Sequence, residues 1–386
     1  MANMGLKIVA SLAVVLLCFA CEGNAEKAEA LFVFGDSYAD TGNHNPYNAT
    51  DNAPWRRPYG FNWPGYPAGR YSSGKVQTDR WAEILGLPTP IAYEMLRTHQ
   101  YEEIPKKIVH GVNFAVGGSG ILADYGYITI SDQVKQFKKL INQTGVFGSE
   151  ELGRSIVLIS NAGNDYLSYI DSNGKNIMGL VSLVSPVVSG MMEVVKELYE
   201  CGFRNFVVSN VAALGCMPEA NRTSCESSYE DFIQRHNMLL NESVIKLRYD
   251  LEGSSIIIPN LTSASNYIFS NALDYGFEDW FQSCCAGEGD AQCAEVDDRG
   301  DALFKMCEDP NKSFYWDNRH PTNKGWHSIM SLYAYGSANE GKELSFVEGA
   351  FSLTEWVKSI GFDAYNISPI ETDNLVKYSY VGGVSS

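Results

Sequence analysis

Three residues in this chain could together cleave an acyl bond. Ser37 sits in a Gly35-Asp36-Ser37 turn directly after the apolar run 31–34. Asp317 and His320 lie three apart in Asp317-Asn318-Arg319-His320-Pro321. A Ser hydroxyl is a weak nucleophile until a base removes its proton, and the base needs a carboxylate to fix its tautomer. Ser37 alone reads more readily as a helix cap than as a nucleophile. A DxxH spacing alone is common. The alternatives to His320 are few, because the chain has 6 His. His236 falls in a helical pattern among Phe232, Ile233 and Leu240, and His110 precedes Asn113 and Phe114 near a strand. His327, seven residues past His320 on the same helical face, is the best competing base.

Acyl transfer also needs donors aimed at the oxygen that gains charge. The apolar run 114–116 leads into Gly117-Gly118-Ser119-Gly120, and a run ending at Ile159 leads into Asn161-Ala162-Gly163-Asn164-Asp165. Glycine lets backbone approach a ligand, and Asn supplies a neutral amide donor. Rival motifs are weaker. Gly118-Ser119-Gly120-Ile121-Leu122-Ala123 fits GxGxxA, but no clear helix and acidic ribose partner follow it. HExxH, GxxxxGK[ST] and a GxSxG around Ser37 are absent from the sequence.

These blocks must be positioned by regular elements. Short apolar runs at 31–34, 155–159, 203–209 and 255–258 read as buried strands. Between them lie helical patterns at 78–85 with Thr78 as cap, from Ser131 as cap, at 184–198 ended by Gly202, at 229–249 and near 264–274. A last helix runs from Pro321 through Tyr333. Alternation of strands and helices predicts an α/β fold, a parallel sheet covered on both faces, with ligands beyond the carboxyl ends of the strands. Trp55, Tyr59, Phe61, Trp63, Tyr66 and Tyr71 crowd one Pro- and Gly-rich loop. Such a loop packs on itself, or forms an aromatic wall for an acyl chain, alcohol or sugar ring.

Composition narrows the setting. The formal charge of −17 and pI of about 4.8 argue against nucleic acid and anionic lipid as partners. Lys7, the apolar run 8–20 and the small residues Ala20, Gly23 and Ala25 have the layout of a secretory signal, with cleavage between 20 and 25. The run is too short to span ~30 Å of hydrocarbon, and no later segment reads as a membrane anchor. Asn48, Asn142, Asn221, Asn241, Asn260, Asn311 and Asn366 each begin an Asn-X-Ser/Thr acceptor; Asn241 falls in a helical pattern. Beyond the signal remain Cys201, Cys216, Cys225, Cys284, Cys285, Cys293 and Cys307, which suggests three disulfides and one free thiol. Cys216 and Cys225 are placed to pair; Cys284 and Cys285 would reach Cys293 and Cys307 rather than each other. There is no CxxC pair, so no metal site is expected. Residues 26–386 read as a single domain.

Taken together, FVFGDSYADTGN at 32–43, NFAVGGSGIL at 113–122, NAGNDYL at 161–167 and DNRHPTNKGW at 317–326 resemble the plant GDSL esterase/lipase family of the SGNH hydrolase superfamily. The segments 57–79 and 201–218 and the Cys284-Cys285 pair extend the resemblance. It implies a three-layer α/β/α sandwich around a mostly parallel, five-stranded, flavodoxin-like sheet. Ser37 would be the nucleophile, His320 the base and Asp317 its partner. The oxyanion hole would be the N–H of Ser37, the N–H of Gly117 (or Gly118, one position on) and Asn164. No cofactor is implied. Two positions depart from the family: Ala162 stands where Gly is usual, and Tyr38 where Leu or Ile is common. The implied activity is hydrolysis of a small-molecule or lipid ester outside the cytosol, in the extracellular space or a compartment such as the vacuole. The alternatives are acyl transfer to an alcohol or sugar and, from another class, a non-catalytic secreted glycoprotein that binds carbohydrate or a partner.

Overall fold

A computed structural model describes residues 28–44, 53–98, 101–122, 128–161, 163–218, 224–339 and 342–369. The signal-like segment, Asn48, Asn221 and Ala162 lie outside them. The chain begins in the middle of its sheet. Strand β1 (Leu31–Gly35) is fully buried, as its unbroken apolar run requires. From β1 the chain crosses to β2 (Ile91–Ala92) at one edge and returns through β3 (Val112–Asn113) beside β1. It then builds outward on the other side through β4 (Ile156–Ser160), β5 (Asn205–Val208) and β6 (Ser255–Pro259). These strands run parallel, with Gly35 level with Ser160 and Val33 level with Asn113. Later come two small antiparallel ribbons, β7 (Cys285–Gly287) with β8 (Phe304–Met306) and β9 (Ser337–Asn339) with β10 (Lys342–Leu344). Finally β11 (Val347–Glu348) adds antiparallel to β6.

The sheet therefore has seven strands, in the order β11-β6-β5-β4-β1-β3-β2, not five. The two additional strands are edges of two residues each. Such pieces are too short to show a hydrophobic period. The ladder of β3 also starts earlier than the apolar run 114–116; that run still donates to β1, from Phe114 N to Val33 O (2.7 Å) and from Val116 N to Gly35 O (3.0 Å).

Helices cover both faces, giving three α/β/α layers. They are α1 (Gln77–Ile84), α2 (Ile130–Thr144), α3 (Asn164–Asn173), α4 (Ile177–Glu200), α5 (Glu230–Asp250), α6 (Leu261–Ser270), α7 (Asn323–Tyr335) and α8 (Leu353–Ser359). In one layer α2, α3 and α5 pack on α4; in the other α1, α6 and α8 pack on α7. Between α2 and the sheet, Phe32 meets Phe137, Phe147 and Phe203 edge-on at 5.1–5.5 Å, and Phe34 stacks on Phe114. Each edge contact adds about 1 kcal/mol beyond the area buried.

At three helices the residue that sets the start differs from the one read in the sequence. Val76, not Thr78, precedes α1: the Asp79 carboxylate accepts from Val76 N, and the Thr78 hydroxyl donates to Ala39 O. Thr129, not Ser131, caps α2 in a reciprocal box with Asp132. Thr322, not Pro321, sets the start of α7 by accepting from Gly325 N, and α8 follows it. In each case a neighbouring Ser, Thr or Pro offered a similar local signal; bonds to Ala39 and Ser313 engage Thr78 and Thr322, and at α2 the local box with Asp132 decided. The helix read from 184 starts at Ile177 and spans 24 residues, long and apolar enough by length and composition to cross a membrane. One face of it is buried here, with Leu180, Val184, Val187, Met191, Val195 and Leu198 inside.

Disulfides join Cys216 to Cys225, Cys284 to Cys307 and Cys285 to Cys293, and Cys201 is a half-buried free thiol. Of the glycan acceptors within the described residues, Asn142 and Asn366 are exposed, and Asn241, Asn260 and Asn311 are half-buried. The Asn260 amide oxygen also caps α6 by accepting from Ser263 N.

Candidate active site

The sheet places three turns side by side. β3, β1 and β4 are neighbours, and the chain leaves β1 in both directions across the sheet, so a crevice opens at their carboxyl ends. Ser37 stands two residues past β1, Gly117 and Gly118 just past β3, and Asn164 at the first turn of α3 after β4. Gly35 makes the first turn possible. Its φ is +151° and a Cβ there would lie 2.2 Å from Ser160 O, so any side chain would push β1 off β4. Buried Gln133 clamps this residue, accepting from Gly35 N at 2.7 Å and donating to Gly35 O at 2.8 Å. The Asp165 carboxylate accepts from Leu122 N and from the Asn161 amide, tying the turn after β3 to the turn after β4.

The fourth turn comes from the far end of the chain. Trp316 N donates to His320 O (2.7 Å), closing 316–320 into a tight loop. Within it the Asp317 Oδ1 accepts from Arg319 N (2.8 Å) and His320 N (2.9 Å), an Asx-type turn that explains why a three-residue spacing suits this pair. Both Asp317 oxygens lie 2.8 Å from His320 Nδ1, and His320 Nε2 lies 2.8 Å from Ser37 Oγ. The three side chains form a continuous hydrogen-bonded row, nearly buried. Burial alone would raise the Asp317 carboxyl; facing His320, the Tyr59 hydroxyl and the Arg319 N–H outweigh it and hold the acid below the usual carboxylate range.

A cavity of about 350 Å³ opens above this row. Ser37, Gly117, Gly118, Asn164, Asp317 and His320 all contribute to its wall, as do Tyr59 and Tyr71. The donors facing it differ in one respect from expectation. Gly117 N is taken: it donates to Asp40 Oδ2 at 2.9 Å, and Asp40 Oδ1 also accepts from Gly42 N and Asn43 N. The glycine whose N–H has no partner among the described residues is Gly118, in a left-handed conformation at φ +84°. Ser37 N likewise donates to nothing among the described residues. Asn164 Nδ2 gives one hydrogen to Ser119 O (2.8 Å), which orients the amide and leaves its second hydrogen free.

The competing histidines stand elsewhere. His327 does not line the cavity, and burial pushes its pKa down to about 4. His236 accepts or donates at Tyr166 OH (2.7 Å) behind α3, and burial pushes it to about 4 as well. His110 lies in the loop before β3.

Sequence reasoning missed several supports. Tyr59 donates to Asp317 Oδ2 at 2.7 Å, and burial beside Asp317 raises its phenol so far that it stays a donor. Tyr71 lies over the His320 ring at 5.0 Å with its hydroxyl 2.9 Å from His44 Nδ1. Both tyrosines belong to the aromatic loop, whose crowding was visible but whose targets were not. Trp63 takes no part in the cavity wall; it sits beneath Arg70 and Lys75. Tyr38 does not line the cavity either. Its hydroxyl donates to Arg319 O (2.6 Å), linking the Ser37 turn to the His320 loop.

A hydroxyl, an imidazole and a carboxylate in a row beside free N–H donors are the equipment of acyl-transfer enzymes on an α/β scaffold. The profile of the GDSL-like Lipase/Acylhydrolase family matches residues 31–332. Two Arabidopsis thaliana proteins named as GDSL esterase/lipases are 32% and 35% identical to the chain. The alignments cover 78% and 79% of this chain and 85% and 93% of those relatives. The chain belongs to the GDSL esterase/lipase family, within the SGNH hydrolases.

Proposed function

We propose that this protein is a secreted serine esterase that forms an acyl-enzyme on Ser37. The observation that carries the proposal is the row Ser37–His320–Asp317 at the mouth of the cavity, with three free donors beside it. His320 Nε2 takes the Ser37 proton as Oγ bonds to the ester carbonyl carbon. The N–H groups of Ser37 and Gly118 and the Asn164 amide hold the resulting oxyanion. The intermediate collapses, the alcohol oxygen leaves with the proton from Nε2, and an acyl-Ser37 ester remains. Water attacks next, giving its proton to the same nitrogen, and the acid departs as Ser37 regains its own. Asp317 holds Nδ1 and offsets the transient imidazolium charge.

Secretion is supported by the signal-like N-terminus and by three disulfides in a chain with seven glycan acceptors. Residues from about 26 onward would form one hydrolase domain. The test is covalent labelling by a fluorophosphonate together with p-nitrophenyl acetate hydrolysis. We expect both, and both lost in Ser37→Ala. A folded wild-type protein that neither labels nor hydrolyses would instead favour a non-catalytic glycoprotein. Product analysis with added alcohol separates hydrolysis from acyl transfer.

A further inference from the structure

The cavity above Ser37 has a neighbour. A second cavity of about 320 Å³ lies against it, and the two share Gln292, Cys293, Asp317 and Asn318 as a common wall. Pro218, Gln282, Ser283 and residues of the Cys285–Cys293 loop add to the wall of the second space.

We propose that this second cavity is a subsite for the alcohol half of the ester, and that the alcohol is a hydroxyl-rich one such as a sugar or polyol. The proposal rests on the ester-cleaving reading above. Position is the first argument. The oxyanion donors sit on the strand ends, whereas the departing alcohol must take its proton from His320 Nε2. The alcohol therefore lies toward the 316–320 loop, and the second cavity opens on Asp317 and Asn318 of that loop.

Chemistry is the second argument. Among the described residues the one charged side chain in the wall is Asp317, and its oxygens are occupied by His320, Tyr59 and backbone N–H groups. The side chains of Gln282, Gln292 and Asn318 make no hydrogen bond among the described residues and are exposed. Neutral amides both donate and accept, which suits hydroxyl groups. A hydroxyl-rich alcohol can use both the donors and the acceptors of these amides, whereas a hydrocarbon chain can use neither. A volume near the lower end of small-molecule pockets, roughly 300 Å³, fits one ring rather than a long chain.

Rigidity is the third. Cys285 N donates to Trp316 O (2.7 Å) and Cys284 N to Tyr315 O (3.0 Å), so the floor of the subsite is hydrogen-bonded to the segment that leads into Asp317. The bridges Cys284–Cys307 and Cys285–Cys293 fix the same floor from behind. A hydroxyl seated there is held in register with His320, and can enter as acyl acceptor as well as leave.

The experiment compares two acetyl esters with the same acyl group: a mono-acetylated hexose and p-nitrophenyl acetate, whose alcohol has no spare hydroxyls. Gln282→Ala removes an amide found only in the second cavity, and Ala286→Trp fills it. We expect kcat/KM for the hexose ester to fall relative to p-nitrophenyl acetate by about fivefold in Gln282→Ala, the worth of one hydrogen bond. The fall should appear mainly in KM and be larger in Ala286→Trp. Equal effects on both esters, or no effect on either, would overturn the subsite while p-nitrophenyl acetate turnover and fluorophosphonate labelling kept the esterase reading intact. Absence of labelling and of turnover in the folded wild type would overturn both. Near-ultraviolet circular dichroism confirms that each variant is folded.

Discussion

The two sides of the candidate site are built by different physics. On the Ser37 side, β3, β1 and β4 deliver their turns in parallel, and the ladder of backbone hydrogen bonds fixes spacing. The surrounding core is continuous and aromatic, running from Phe32 and Phe34 to Phe137 and Phe203. On the His320 side there is almost no ladder. Asp317 and His320 sit over a small separate cluster of Tyr59, Phe304, Trp316 and three disulfide cysteines. Side-chain-to-backbone bonds stitch that loop down: Ser72 to Pro321 O, Thr322 to Ser313 O, and Ser73 accepting from Asn323 N. A sheet can hold a residue in place with no covalent help, whereas a loop over a small core needs cross-links. The half that carries Ser37 and Asn164 should thus be robust, and the half that carries Asp317 and His320 should be conditional on oxidation and local packing.

The largest effects come from cutting the row that joins the halves. Ser37→Ala or His320→Ala should each lower kcat by about 10⁴-fold or more, and the double variant little further, because the groups act as one unit. Single-turnover rates on p-nitrophenyl acetate measure this; an additive double variant would break the idea that the two sides act together. Next comes the sheet side alone. Asn164→Ala should lower kcat by about 10²–10³-fold with KM little changed, as for other lost oxyanion donors. Asn164→Asp, which puts a negative charge beside the oxyanion, should be at least as damaging.

The same contrast explains what the sequence disclosed. The strand-end residues were legible because each follows a buried apolar run, and the rule that ligands bind past such ends needs no tertiary detail. The DxxH pair was legible as chemistry, since the Asx turn is local. What crosses between segments was not. Asp40 stands in the same block as Ser37, yet only the fold shows that it takes the Gly117 N–H, while Gly118 N has no partner among the described residues. Tyr59 lies 258 residues from Asp317, and nothing in an aromatic-rich loop says which tyrosine will reach the carboxylate. The two-residue edge strands were invisible for a simpler reason: they exist because a neighbouring strand offers free edges, not because of their own pattern.

The cross-links come next in size. Cys284→Ser with Cys307→Ser opens a loop of 23 residues and should cost about 3 kcal/mol of stability on the chain-entropy account. Mild reduction of the wild type should abolish activity while far-ultraviolet circular dichroism still reports the α/β sheet. Simultaneous loss of both signals would mean that the loop side is no weaker than the sheet side.

Acid should also separate the halves. His236, behind the sheet, is buried and neutral with a pKa near 4, against about 6.5 unfolded. Between those values the unfolded chain binds the proton and the folded one does not, so stability falls as pH drops from 6.5 toward 4, by at most about 3 kcal/mol. Burial lowers His327 in the same direction. Asp317 is depressed instead, so its contribution is complete above the ordinary carboxylate value and is lost only as pH falls below it. Urea midpoints between pH 4 and 6.5 should flatten in His236→Gln; an unchanged slope would remove His236 from the account.

The smallest effect tests the finest feature of the loop side. Tyr59→Phe deletes one hydroxyl from a buried ring and leaves the packing against Trp316 in place. Tyr59 touches no reacting atom, so it is a positioning residue. Without its hydrogen bond to Asp317 Oδ2, the carboxylate can rotate away from His320 Nδ1. We expect kcat to fall about tenfold, the scale of one charge-assisted hydrogen bond, with KM unchanged. A purely structural role would lower the melting temperature and leave kcat of the folded enzyme as it was. An unchanged kcat would mean that packing and cross-links alone hold Asp317 in place, with no help from the phenol.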